Sequence, residues 1–163
     1  MKKIFACSFW LAMSFAPLVQ AGEVTVGVKL PELDEGKGYR PYVAVWVENE
    51  HQEVVKTLAV WRKEADWLKD MRRWWRKAGR YDQGELDAVT GATRRPGVHQ
   101  VVWEGDDQEG QPVADGRYTI NIEAAREHGS RSQVTQIFEL GQAQEFITEA
   151  AEELGSMTIT VKP

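Results

Sequence analysis

Glu23-Val-Thr-Val-Gly-Val-Lys-Leu30 sets an apolar or small residue against a polar one in period-two alternation. That is the period of a strand with one face on a core and the other in water; on a helix the same valines would be scattered around the surface. The pattern recurs along the chain. Tyr42-Val-Ala-Val-Trp-Val47 and residues 54–61 flank the polar stretch 48–53, which reads as a hairpin, and residues 98–103, 117–125, 133–140 and 156–161 continue the series. Gly, Pro, Asn and Asp residues separate these segments, as turns require. About seven strands so punctuated predict a mostly β chain folded as an antiparallel sandwich.

The composition of the 163 residues, 42% hydrophobic and 28% charged, is that of a folded domain and excludes a disordered chain. The one long apolar run is at the start. Lys2 and Lys3 precede residues 4–19, and Val19-Gln20-Ala21 supplies small residues for a peptidase, the order of a secretory signal. Residues 1–21 are therefore expected to be a cleaved signal peptide and residues 22–163 a single domain that does not span a membrane. Removing them leaves 18 basic against 25 acidic residues, a formal charge of −7, which excludes a nucleic-acid partner. Cys7, the sole cysteine, leaves with the signal, so thiolate metal sites, cysteine nucleophiles and disulfide exchange are excluded too. An exported, thiol-free domain points to a bacterial periplasm.

Two segments refine the sandwich. Trp103-Glu-Gly-Asp-Asp-Gln-Glu-Gly-Gln-Pro-Val-Ala-Asp-Gly-Arg-Tyr118 ends a strand, turns through an acidic glycine-rich loop and launches the next strand. It resembles the corresponding loop of the immunoglobulin-like domain in flagellar hook-capping proteins, which implies an immunoglobulin-like sandwich. Ala65-Asp-Trp-Leu-Lys-Asp-Met-Arg-Arg-Trp-Trp-Arg-Lys-Ala78 breaks the strand pattern and predicts an inserted helix at about 65–80, packed over one end of the sandwich. Trp67, Met71, Trp74 and Trp75 fall on one helical face, and six Lys and Arg residues crowd positions 69–80. These tryptophans and arginines are candidates for a platform that stacks an anionic aromatic ligand. Residues 145–154 read as an acidic amphipathic helix or loop over a sheet edge.

The residues with the most specific chemistry come next. Asp87-Ala88-Val89-Thr90-Gly91-Ala92-Thr93 is a small-residue turn followed by Arg94 and Arg95. Gly91 is expected to supply a positive φ, Ala92 to add no bulk, Thr93 to present its hydroxyl, and the two arginines to neutralise an anion attached there. The heptapeptide resembles the D-x-x-[ST]-G-A-T motif of proteins modified by the bacterial flavin transferase, which moves FMN from FAD onto the final threonine. All five defined positions match; at average residue usage a chance match in a chain of this length is about one in a few thousand. The resemblance implies Thr93 as the FMN phosphoester acceptor, Gly91 and Ala92 as the unhindered approach, Thr90 as the [ST] position and Asp87 as the carboxylate needed during modification. Trp74 and Trp75, with Trp67, are the expected stacking partners of the ring.

Tyr39-Arg-Pro-Tyr-Val-Ala-Val-Trp46, Arg72-Arg-Trp-Trp75, residues 87–95 and Glu123-Ala-Ala-Arg-Glu-His128 also resemble an uncharacterised family of predicted bacterial periplasmic proteins. Its members occur beside flavin transferases and PepSY-type membrane reductases, which implies an electron carrier whose donor is such a reductase. No nucleophile–base pair, phosphate-binding loop or dinucleotide fingerprint is present, and His51, His99 and His128 lack metal-ligand spacing. The residues leave a second reading open: a cofactor-free immunoglobulin-like binding or assembly module that docks its partner on the Trp/Arg helix.

Overall fold

The computed structural model describes residues 22–32, 39–81 and 86–163; the expected signal segment, 1–21, lies outside them. The chain forms the mostly β sandwich that the alternation predicts. Its strands are β1 (Glu23–Leu30), β2 (Tyr42–Asn49), β3 (Val54–Trp61), β4 (Thr90–Gly91), β5 (Gly97–Trp103), β6 (Gly116–Ala125), β7 (Arg131–Leu140), β8 (Gln144–Ile147) and β9 (Thr158–Lys162). One sheet runs β5-β1-β9-β8 and the other β4-β3-β2-β6-β7. Neighbours are antiparallel except β3 and β4, which pair in parallel through Val60 with Thr90 and Trp61 with Gly91. Two strands are additions to the expected seven. One is β4, inside the threonine motif; the other is β8, where an acidic helix or loop was expected. Gln-Glu-Phe-Ile alternates in burial and pairs with β9, so the sheet is extended rather than covered there.

Val24, Val26 and Val28 of β1 meet Val43, Val45 and Val47 of β2 and Ile120 and Ile122 of β6 between the sheets, all with no exposure. Each such side chain contributes about 1.5–3 kcal/mol when fully buried. The acidic loop is closed by turn chemistry. Gly105, Gly110 and Gly116 adopt φ of 69°, 76° and 151°, and Asp107 Oδ1 accepts the backbone N–H groups of Glu109 and Gln111 at 3.1 and 2.7 Å. Asp106 forms an ion pair with Lys56.

A third layer sits on the outer face of the five-stranded sheet. Ala44, Trp46, Tyr42, Val60 and Ala125 point away from the sandwich core into a second apolar cluster with Leu68, Met71, Trp74 and Ala78 of the insert. The insert thus covers a sheet face and not one end of the sandwich, because Tyr42, Ala44 and Trp46 of β2 are apolar as well as Val43, Val45 and Val47. It is also not one continuous helix. A 3-10 turn (Ala65–Asp70) ends at Met71, with φ −78° and ψ 73°; α1 (Arg72–Trp74) follows and passes into a π turn (Trp75–Gly79). Gly79 lies against the rings of Trp74 and Trp75, where an added Cβ would come within 2.7 Å, so its role is close approach rather than a positive φ.

Two buried carboxylates fasten this layer. Glu123 of β6, with no exposure, accepts the backbone N–H groups of Trp74 at 2.9 Å and Arg73 at 3.1 Å through Oε2, and the guanidinium of Arg131 at 2.7 Å through Oε1. It thereby caps the restart of the helix, whose first N–H groups have no partner within it. Glu48 of β2 accepts Trp46 Nε1–H at 2.8 Å and Arg73 Nη2–H at 2.9 Å, with Lys77 Nζ at 3.3 Å. Two of the insert's basic residues are therefore anchored on the sheet and not spread in solvent.

Two buried phenols give the sandwich an alkaline limit. Burial raises the Tyr118 pKa above the usual tyrosine value, reinforced by the charges of Asp115 and Glu50, and its O–H donates to the Ala114 carbonyl at 2.7 Å. Burial likewise raises Tyr42. A folded pKa above the unfolded one means that stability from this source is complete below about pH 10 and is lost as pH rises beyond it. Urea midpoints should fall above pH 10, less steeply in Tyr118→Phe; an unaltered slope in that variant would exclude Tyr118 as a contributor.

Candidate functional site

The threonine motif is held on the edge of the five-stranded sheet. α2 (Leu86–Val89) contains Asp87 in its backbone, and the chain then extends through β4, where the Arg62 N–H donates to the Gly91 carbonyl at 2.8 Å. Thr90 and Gly91 are half-buried on this ladder, Ala92 is exposed, Thr93 is half-buried, and Arg94 and Arg95 are exposed before β5 begins at Gly97. The expected positive φ at Gly91 is not present: the residue is extended in β4. A Cβ there would lie 3.7 Å from Arg94 Nη2 and 3.9 Å from Trp61 Cδ1, ordinary van der Waals distances, so the site would accommodate a small side chain.

Residues of the motif line two clefts. Thr93 lines the smaller, about 270 Å³, with Tyr39, Arg40, Tyr42, Lys63 and Glu127. Arg40 and Lys63 bring two cations and Glu127 one carboxylate to the cleft that Thr93 lines, a net positive arrangement that can receive a phosphate. Thr90, Gly91 and Arg94 line the larger, about 750 Å³, which opens between β3 and β5. Trp61 forms part of its wall, with the His99 ring 5.4 Å away and inclined by 71°. The Arg94 guanidinium lies 5.5 Å from the Trp61 ring centroid, within cation–π range. His99 is oriented by its Nε2–H, which donates to the Arg95 carbonyl at 2.7 Å.

The expected stacking tryptophans are not gathered here. Trp74 has no exposure, and its Nε1–H donates to Thr57 Oγ1 at 3.3 Å; both faces of its indole are taken up by the second core, so it offers no surface to a ligand. Trp75 is half-buried, tilted against Trp74 at 6.4 Å, and Trp67 packs on His128 at 5.5 Å. Trp61, His99, Arg40 and Lys63 were not singled out by the sequence as site residues, because they come to the motif from distant parts of the chain only when it folds. Among the described residues no group of three or more His, Cys, Asp or Glu is placed to hold a metal ion.

Comparison with known proteins agrees with this frame in one respect. The family of predicted periplasmic proteins designated DUF2271 matches residues 23–156, which run from β1 to the loop before β9. The chain belongs to the DUF2271 family. No curated protein and no solved structure matches it. The DUF2271 match contains the whole insert, the threonine motif and both clefts. Among the described residues no helix is long and apolar enough to cross a membrane.

Proposed function

We propose that the chain is a periplasmic flavoprotein, exported by a cleavable signal peptide, that carries one FMN on Thr93 and transfers electrons outside the cytoplasm. The observation that carries this reading is the complete D-x-x-[ST]-G-A-T heptapeptide, ending in a threonine that lines a cleft beside Arg40 and Lys63. In the modification, the Thr93 oxygen forms a bond to the FMN phosphorus of FAD, the pyrophosphate bond breaks, AMP leaves and the hydroxyl proton is lost. Exposed Ala92 and side-chain-free Gly91 leave room for a transferase to reach the threonine. Arg40, Lys63, Arg94 and Arg95 then neutralise the phosphodiester charge. When bound, the flavin supplies one- and two-electron chemistry that no side chain here provides; the protein orients the ring and sets its surroundings. A PepSY-type membrane reductase fits as the electron donor.

The test is the intact mass of the exported protein, produced with and without a flavin transferase. A transferase-dependent gain of one FMN less water, mapped to the peptide that contains Thr93, is the expected result. An unchanged mass on a folded, β-rich protein would overturn the reading and leave the cofactor-free binding module in its place.

A further inference from the structure

We propose that the isoalloxazine ring of the Thr93-linked flavin stacks on the phenol of Tyr39, at the rim of the cleft that already contains the acceptor threonine. This placement rests on the carrier reading above. Tyr39, Arg40, Lys63 and Thr93 line one and the same cleft, so the ribityl chain has only to cross it. Its volume of about 270 Å³ is below the usual ligand range of about 300–1,000 Å³, so it receives the phosphate and sugar chain and leaves the ring over the rim. Arg40 and Lys63 hold the charged end inside, and Tyr39 supplies the aromatic surface next to them.

Tyr39 is the aromatic side chain of this cleft with surface to offer. It is 45% exposed, whereas Tyr42, the other phenol, is 2% exposed and belongs to the second core. The His128 ring stands 6.3 Å from Tyr39 at an inclination of 68°, and Trp67 flanks His128 in turn at 5.5 Å. These contacts are inclined, so Tyr39 is positioned without being taken up in a parallel stack, the arrangement that a planar ligand ring completes. His128 is itself held in place, with φ 56° in a β6–β7 turn that the Arg126 N–H closes on the Ser130 carbonyl at 3.1 Å. The lead into β2, the β6–β7 turn and the insert thus converge on a small aromatic wall beside the threonine. The larger cleft has no comparable surface: Trp61 is 4% exposed and lies under Arg94. Stacking on Tyr39 leaves the far face of the flavin towards solvent, where a protein that gives or takes electrons can approach.

The experiment uses the full exported chain, loaded with FMN by co-expressed transferase, and reads flavin emission and visible circular dichroism. A stacked phenol quenches flavin emission, because it passes an electron to the excited ring and takes it back without light. Phenylalanine stacks as well but is too hard to oxidise to do this. The wild type should therefore emit several-fold less than free FMN. Tyr39→Phe should regain much of that emission and keep the dichroism, and Tyr39→Ala should regain the emission and lose the dichroism, each with one FMN by mass. Tyr81→Phe, which alters an exposed phenol outside the cleft that already carries Arg80 over its ring, should leave both signals as in the wild type, and so should Trp75→Leu. With the FMN mass intact, wild-type emission in both Tyr39 variants would overturn the placement alone. A wild-type protein without added FMN mass would overturn the carrier reading and the placement with it.

Discussion

Replacing Glu123 with alanine is expected to cost about 2–5 kcal/mol, because it leaves two backbone amides of the insert without an acceptor at about 1–3 kcal/mol each, the largely exposed Arg131 side chain adding little. Three donors lose their acceptor at once: the Arg131 guanidinium and the backbone N–H groups of Arg73 and Trp74. The two amides belong to a helix restart that has no other cap, and they hold Trp74, which with Trp46 is one of the two largest fully buried side chains of the second core. A folded domain has about 5–15 kcal/mol in all, so the variant should approach the threshold of stability. Urea unfolding followed by tryptophan emission measures the loss. Glu123→Gln keeps one carbonyl oxygen but turns an N–H₂ group towards donors, so an intermediate loss is expected. A change in Glu123→Ala of under about 1 kcal/mol, the scale of an ordinary hydrogen bond, would show that apolar packing alone holds the insert.

Thr93→Val should abolish covalent flavin altogether. Valine keeps the shape of threonine and removes only the oxygen that forms the phosphoester. Thr93 is half-buried in a loop, so the fold should change by no more than about 0.5 kcal/mol, the usual limit for a surface substitution away from structural features. Loading is read by mass and by flavin absorbance after denaturation, with the urea midpoint as the control for folding. Covalent flavin retained by a folded Thr93→Val protein would remove Thr93 as the acceptor.

The strands were legible because alternation in β1 or β6 has one physical cause, a core on one side. β2 carried a further message in the same letters. Tyr42, Ala44 and Trp46 are apolar as well as Val43, Val45 and Val47, and a strand apolar on both sides needs cover on both. Glu48 falls in the polar stretch read as a hairpin turn and Glu123 in a segment read as a strand; their burial follows from a layer that only the folded chain supplies. The tryptophan face of the insert was drawn at 3.6 residues per turn, and the break at Met71 with the change to a π turn alters which rings face inward. The motif itself was readable as spacing. Its neighbours Trp61 and His99 were not, because 38 residues separate them in the chain and the edges of two sheets bring them to 5.4 Å.

The short parallel ladder beneath the motif has a bearing on how such a site arises. Its strand pairing to the host sheet amounts to two residue pairs, Val60 with Thr90 and Trp61 with Gly91. A strand edge able to accept two pairs is a common commodity among β proteins, so the motif behaves as a graft that asks little of its rootstock. The same seven letters can then be carried by unrelated architectures, with the host free to diverge everywhere except at the cavity that the graft overhangs.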